Sequence, residues 1–530
     1  GAVGAAGTAT SVAGIPFYLN GDDNSTSIYT HDVSGTDNLA RSNTAYGVNA
    51  LDAITTGDNN TAIGYLSLSA NNTGFENTAL GRGAMSGSTS ASYNVAVGNN
   101  AGAAMATGDL FNTFVGHSSG TAATGANKSV LVGYQAGAAI TTGGHNLMIG
   151  YQAGDGFDTE AHNLGIGEAA LGGAIAGGEY NVAIGNFSLD ALTSGDNNVA
   201  IGYGAGTDLT EGGTNVLVGY NAGANVTTAS ASIFVGFDAG SAVTTNTENI
   251  GIGYRSGYAL TGTKNTMIGY KSGLNGTSHD ENVIIGYEAC GLGVLTGNEN
   301  VVIGMGAGKD MTSATASVFV GDGSGENVTT GARNIGIGKN TLEDPDTEND
   351  NLAIGYNALS GSVAGGEQNV AIGNYSLDAL TSGDNNVAVG FEALTTNTAN
   401  TGIVAVGYRA LATLNGGDGQ SVAVGQQALE ANTTGAYNTA VGMNALKANT
   451  DGATNVAVGS DALIGNTTGD RNIGIGQATI YQADTENDNI AIGNAALAGV
   501  IAGGEQNVAI GSNSLDALTS ADHCVAVGFN

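Results

Sequence analysis

Aliphatic residues in this chain come in short alternating pairs that return about every seventeen residues, as in Val182-x-Ile184, Val199-x-Ile201 and Val216-x-Val218. Counting the residue before each pair as position zero, that residue is Asn in 23 of 29 copies, replaced by Ser129, Ser232, Ser317, Ser421, Ile403 and Cys524 in the others. Position one is Val, Ile, Leu or Thr, position three is aliphatic in nearly every copy (Tyr46 in the first), and position four is glycine throughout, from Gly47 to Gly528. Strict alternation of β-branched residues over so short a stretch predicts a strand of roughly four residues rather than a helical turn. Glycine ends it, because there the chain must turn or let a stacked backbone approach closely. The following x-x-(Ala/Ser/Thr)-(Leu/Gly), as in Tyr65-Leu66-Ser67-Leu68, reads as a second short strand, and a polar turn such as Thr55-Thr56-Gly57-Asp58-Asn59 closes the unit. Successive glycines are always 16, 17 or 18 residues apart, too regular for a string of independent domains. The pattern predicts an all-β fold, a parallel β-roll or β-solenoid of about 29 coils over residues 43–530, with residues 1–42 as a cap or joining segment built on Ile15–Leu19 and the polar turn Ser34–Asn38.

Position two decides what the strand touches. A lone solenoid is expected to fill its core from one strand face and meet water with the other, so with positions one and three inside, position two should be polar. It is instead Ala or Gly in many copies and large in Phe114, Leu131, Met148, Leu217, Phe234, Met267, Ile284, Val302 and Phe319. An apolar stripe of that length predicts an interface between chains, so these nine residues become the candidates for the contact surface of a homotrimer in parallel register.

The motif Asn-x-Val-Ala-Ile-Gly-x-x-(Ala/Ser), present at Asn181–Ser188 and again from Asn369 and Asn507, resembles the head repeat of YadA-like trimeric autotransporter adhesins, a parallel β-roll. The longer repeat of this chain, with Asn-Thr-Ala-(Ile/Val)-Gly-Tyr and Thr-Thr-Gly turns, looks more like repeats in predicted tail fibres of bacteriophages. The resemblance covers residues 43–530 and implies a homotrimeric fibre. A longer duplication lies on top of the repeat: the segment from Asp158, with Asn163-Leu-Gly-Ile-Gly and Gly177-Gly-Glu-Tyr-Asn-Val-Ala-Ile-Gly, returns from Asp346 and Asp484, each time enclosing an 18-residue coil such as 163–181.

Composition narrows the function. Ninety glycines and only 2 prolines exclude collagen, 41% hydrophobic residues exclude a disordered chain, and a formal charge of −34 argues against nucleic acid as a partner. No apolar run is long enough to insert into a membrane. The two cysteines, Cys290 and Cys524, fall many coils apart and are expected as separate buried thiols.

Candidate chemistry is sparse. Gly116-His117-Ser118-Ser119-Gly120 has the spacing of a nucleophile elbow but occupies the phase that elsewhere reads Gly133-Tyr-Gln-Ala-Gly137, so the repeat explains it and no catalytic residue is expected. The six histidines read as scattered, without a metal-ligand set. No cofactor is expected; calcium is the single ion the acidic turns Gly57-Asp58-Asn59, Gly195-Asp196-Asn197 and Asp346–Asp350 would admit. The position-zero asparagines are expected to stack as an amide ladder. Tyr203, Tyr220, Phe237, Tyr254, Tyr270 and Tyr287, all at position five, form an aromatic row whose reading as ring stacking competes with contact to glycan faces. The expected function is therefore a non-enzymatic, extracellular or virion-surface fibre shaft supporting host or surface attachment, with a bacteriophage tail fibre placed ahead of a bacterial adhesin or filament. A glycan- or calcium-binding solenoid is the rival class, set lower because the turns show no obvious row of identical threonines or acids. Expected partners are two further copies, a neighbouring fibre or baseplate protein at the ends, and a host receptor or glycan. The shaft is expected to continue beyond Asn530, where the last coil stops after its glycine.

Overall fold

The computed structural model describes residues 10–12, 15–19, 28–29, 40–106, 108, 110–174, 176–344, 347–362, 365–417, 419–482, 484–500 and 502–530. It is an all-β parallel solenoid with one three-residue strand per coil, from Thr44–Tyr46 to Val525–Val527. The chain divides into two compact units, Gly1–Lys264 and Asn265–Asn530. In each, every repeat strand pairs in parallel with the strand of the next coil, position for position: Val182↔Val199 and Ala183↔Ala200 in the first, Val370↔Val387 and Ala371↔Ala388 in the second. Ahead of the first coil, Thr10–Val12 pairs antiparallel with Ile15–Leu19, which pairs antiparallel with Ile28–Tyr29, and that strand lies parallel to Thr44–Tyr46. The turn at Ser34–Asn38 lies outside the described residues.

The segment after the glycine is not a second strand. It is a hydrogen-bonded turn in which positions six and eight adopt left-handed backbone, as at Leu66 (φ 56°) and Leu68 (φ 52°). The residue before each ladder position does the same, as at Tyr93 (φ 64°). Left-handed non-glycine residues are costly singly, by roughly 1–2 kcal/mol, so their recurrence shows how strongly the stack dictates the path. Stacking supplies the backbone partners: Leu66 donates its N–H to the Val48 carbonyl one coil back (3.1 Å), and Leu68 to the Ala84 carbonyl one coil on (3.0 Å).

The core runs along the inside of the coils and inverts the expected facing of the strand. Position two points inward: Phe114, Leu131, Met148, Leu217, Phe234, Met267, Ile284, Val302 and Phe319 are all 0% exposed within the single chain. None is on a surface that a neighbouring chain could reach, so the sequence-based assignment of these nine to an interface is corrected. Positions one and three are the outward residues; Ile149, Ile201 and Ile252 are 37–38% exposed. Both strand faces are apolar, but only the position-two face is buried within the chain.

What position two packs against is position eight of the same coil. A methyl group added at Gly137 would lie 2.8 Å from Leu131, at Gly154 2.7 Å from Met148, at Gly240 2.4 Å from Phe234, and at Gly325 2.6 Å from Phe319. Where position two is Ala or Gly, position eight carries Leu in most coils, as Ala62 with Leu68, Gly165 with Leu171 and Ala371 with Leu377, but Met85 and Ile480 stand opposite Ala79 and Gly474, and three coils are small at both places: Ala96 with Gly102, Ala200 with Gly206 and Gly251 with Gly257. One large and one small residue fill most cross-sections, and where both are small a large residue of the adjacent coil reaches in, as Phe114 toward Gly102 and Leu217 toward Gly206.

The asparagine ladder lies at the inner end of each strand. Asn43 Oδ1 accepts from the Asn60 backbone N–H (2.8 Å) and from Asn60 Nδ2 (3.1 Å), while Asn60 Nδ2 also donates to the Gly74 carbonyl (2.9 Å). The same contacts link Asn60 to Asn77, Asn181 to Asn198 and Asn351 to Asn369. In these rungs the buried amide oxygen and amide nitrogen find their partners on the neighbouring coils, as burial demands. At Ser129 the rung changes: its hydroxyl accepts from the Asn146 N–H (3.2 Å). Residues 432, 449 and 466 add a second buried ladder, Asn449 Nδ2 to Asn432 Oδ1 and Asn466 Nδ2 to Asn449 Oδ1, both 2.7 Å.

Candidate functional surface

Each strand is only three residues long and its middle residue is inside, so the coil presents outward the two β-branched residues at positions one and three and, past the glycine corner, position five. Position five is aromatic in many coils and its rings are 38–51% exposed from Tyr203 to Tyr287. Aliphatic and aromatic side chains therefore share one outward face in each unit.

The rings lie on each other. Tyr203, Tyr220, Phe237 and Tyr254 stack in sequence in the first unit, with centroids 5.1–5.3 Å apart and planes within 9°, and Tyr270 stacks on Tyr287 in the second at 4.9 Å. Stacking covers the ring faces and leaves edges and hydroxyls outward. A sugar that packs on aromatic faces finds no open face along these runs, and the row reads as ring stacking. Tyr134 and Tyr151 stack in the same way, with His117 on Tyr134.

A second row stands beside the ladder position. Tyr93 stacks on Phe111 (4.9 Å, 11°) with Phe75 edge-on below, and His145 stacks on His162 (4.7 Å), which stacks on Tyr180 (4.9 Å). The two histidines had read as scattered, yet they are 17 residues apart, and in this fold that spacing places any two outward residues side by side. Among the described residues no three His, Cys, Asp or Glu side chains gather as a metal-ligand group. Ser118 sits in the left-handed turn (φ 58°), and the neighbouring Ser119 hydroxyl donates to the Gly116 carbonyl (3.2 Å), so the elbow-like spacing belongs to the ordinary coil.

The acidic turns are tied into the stack. Asp58 Oδ1 accepts from the Arg41 N–H (2.7 Å) and Asp196 Oδ1 from the Glu179 N–H (2.8 Å). Asp350 meets Arg333 through two parallel bonds of 2.6 and 2.7 Å, which hold its carboxyl below the ordinary carboxylate range. Asp346 lies outside the described residues. Ion pairs likewise join successive coils, as Lys309 to Glu326 (2.9 Å) and Arg471 to Asp488 (2.7 Å). A threonine row that the turns seemed too varied to hold is present at position twelve: the Thr193 hydroxyl donates to the Thr210 carbonyl (2.9 Å), Thr210 to Thr227 (3.0 Å), and Thr312 to Thr329 (3.0 Å). Its hydroxyls are spent on the backbone of the next coil.

Cys290 and His279 are among the titratable groups inside. Burial alone pushes the Cys290 thiol up to about 12, and both cysteines are free. His279 is wholly buried against the ladder, its Nδ1 3.0 Å from Asn265 Oδ1 and 3.1 Å from Asn282 Nδ2, while Nε2 has no hydrogen-bond partner. Burial pulls its pKa down to about 4, with Asp280 opposing weakly. When the pH falls below the ordinary 6.5, the unfolded chain binds this proton and the folded chain does not, so stability is full above that value, declines toward about pH 4 and then levels. The loss is on the order of 3 kcal/mol at most. Urea unfolding at pH 7.5 and 4.5 is expected to show it in the parent and not in His279→Gln; equal losses in both would contradict the burial of a neutral imidazole.

Scanned against protein-family models the chain matches none, and no curated protein is similar to it.

Proposed function

We propose that this protein is a structural fibre shaft in which three copies associate side by side through the outward strand face. The observation that carries the reading is the row of β-branched residues at positions one and three, outward in both units, flanked by stacked rings at position five. Isolated exposed aliphatics are unremarkable on a soluble protein, but a contiguous apolar patch repeated coil after coil is the signature of an interface. The inward residues are all engaged within the chain. The acidic exterior, with bases spent on intercoil pairs, keeps assembled fibres apart from one another. The Asn-Val-Ala-Ile-Gly motif and its resemblance to trimeric adhesin heads and phage fibres support three as the number of copies, an extracellular or virion setting, and a role in attachment. The elbow-like serine is read as an ordinary turn residue of the coil.

Mass determination by sedimentation is expected to give three times the 51.9 kDa chain mass, and the combined substitution Ile201→Asp, Val218→Asp and Val235→Asp to give single chains with unchanged β-sheet circular dichroism. All three residues are outward, so the core is untouched; because they pair side by side on consecutive strands, the triple variant Ile201→Asn, Val218→Asn and Val235→Asn, which carries no stacked like charges, separates loss of assembly from loss of the coil. A parent protein that sediments as one chain at micromolar concentration would overturn the assembly.

A further inference from the structure

The residue three places before each ladder position is Gly in most coils and a buried Ala at Ala126, Ala229 and Ala314, so the place admits little: a methyl at Gly57 would lie 2.1 Å from the Gly74 carbonyl oxygen, at Gly195 2.2 Å from that of Gly212, and at Gly383 2.1 Å from that of Asn400. Glu160, Glu348 and Glu486 nevertheless occupy this place, 3–5% exposed. Each is followed at once by an 18-residue coil, 163–181, 351–369 and 489–507.

The carboxylates make the same bonds each time. Glu160 accepts from Gly177 N–H through Oε1 (2.9 Å) and from Asp158 and Thr159 N–H through Oε2 (2.9 and 3.0 Å). Glu348 accepts from Gly365 (2.7 Å) and Thr347 (3.0 Å), and Glu486 from Gly503 (2.9 Å), Asp484 (2.9 Å) and Thr485 (3.1 Å). The donors at 177, 365 and 503 are glycines at φ 119°, 113° and 90°, in the stretch where the coil carries its extra residue, and a methyl there would meet nothing within 4 Å. The strands on either side stay in register despite the extra residue, with Leu164↔Val182, Leu352↔Val370 and Ile490↔Val508 paired.

We propose that these glutamates are length adaptors: the carboxylate occupies the space that a swollen coil opens and bridges a glycine N–H of that coil to the N–H groups of its own coil that face it, so that the stack absorbs one residue without slipping. A nest of two or three N–H groups suits an anionic acceptor and nothing else in the side-chain inventory fits as well. His279 and Asn400 stand at the same place before the 18-residue coils 282–300 and 403–421, and Asn400 reaches the Gly416 carbonyl of the swollen coil (3.2 Å). The coil 94–112 follows Ala91 and does without the device. Asn246 precedes a 16-residue coil, with its amide turned to the Thr261 carbonyl.

Hydrogen exchange on the full chain tests the pairing of glutamate with extra residue. Glu348→Gly is expected to raise exchange across residues 347–369 at least tenfold, and deletion of Gly365 alone to do the same, while the two changes together recreate a regular 17-residue coil and restore protection to within about threefold of the parent. Glu348→Gln, which keeps shape but sets an amide donor against N–H donors, is expected to fall between and remains informative if the glycine variant does not fold. Unchanged exchange in Glu348→Gly or Glu348→Gln, or a double variant no better protected than the worse single one, would overturn the proposal.

Discussion

Gly304→Ala is expected to disrupt the stack while Gly306→Ala, two residues along the same turn, is nearly silent. Both glycines have positive φ, 149° and 61°. At Gly304 the added methyl would sit 2.1 Å from the Gly321 carbonyl oxygen and 2.5 Å from its carbon, a collision with backbone that no rotamer relieves. The coils would have to separate, breaking the ladder contacts on both sides, and the loss should exceed about 4 kcal/mol, at the far end of what one substitution does. At Gly306 the methyl meets nothing within 4 Å, and the cost is that of a left-handed alanine, about 1 kcal/mol. The two variants compared by denaturant midpoint and by hydrogen exchange of residues 301–325 give the answer. Similar losses in both would mean that position-four glycine is required for its φ alone, and that coil contact is looser than the geometry shows.

The contrast shows how much of the fold was open to reading. The glycine at position four and the asparagine at position zero recur because each touches its own copy in the next coil, and a repeat in space becomes a repeat in sequence. The parallel solenoid, the coil length and the amide ladder follow from that alone. Position eight carries no such mark, since Leu, Gly, Met85, Cys290 and Ile480 all stand there in the left-handed turn. Hydrophobic alternation states that two faces differ and says nothing of which is inside, so the strand could be turned either way on pattern alone. The 17-residue separations of His145 from His162, and of the threonines at position twelve, were present in the sequence and needed only the coil phase to be noticed. The left-handed residues at positions six and eight were not legible at all, because Leu, Gln and Arg give no local sign of positive φ and adopt it only under the stack.

One signal in the sequence did fix the facing. When position two is large, position eight is glycine in eight of nine coils, with Cys290 opposite Ile284 in the ninth, and when position eight is leucine, position two is Ala or Gly. Two residues six apart trade volume only if they share one enclosed cross-section, which places position two inside its own coil rather than against another chain. The pair Ala371 and Leu377 tests this in a run of coils that all carry leucine at position eight, from Leu359 to Leu394. Leu377→Gly alone should cost about 3–4 kcal/mol through the cavity it opens, eased slightly because glycine suits φ 49°. Ala371→Leu alone should cost about 2 kcal/mol or more by overpacking against Leu377. Made together they reproduce the arrangement of Leu131 with Gly137, and the double variant should stand within about 1.5 kcal/mol of the parent, a coupling of several kcal/mol between residues that share one cavity. Were position two instead directed at a neighbouring chain, the two losses would simply add, and Ala371→Leu would alter the mass of the assembly rather than the stability of the coil.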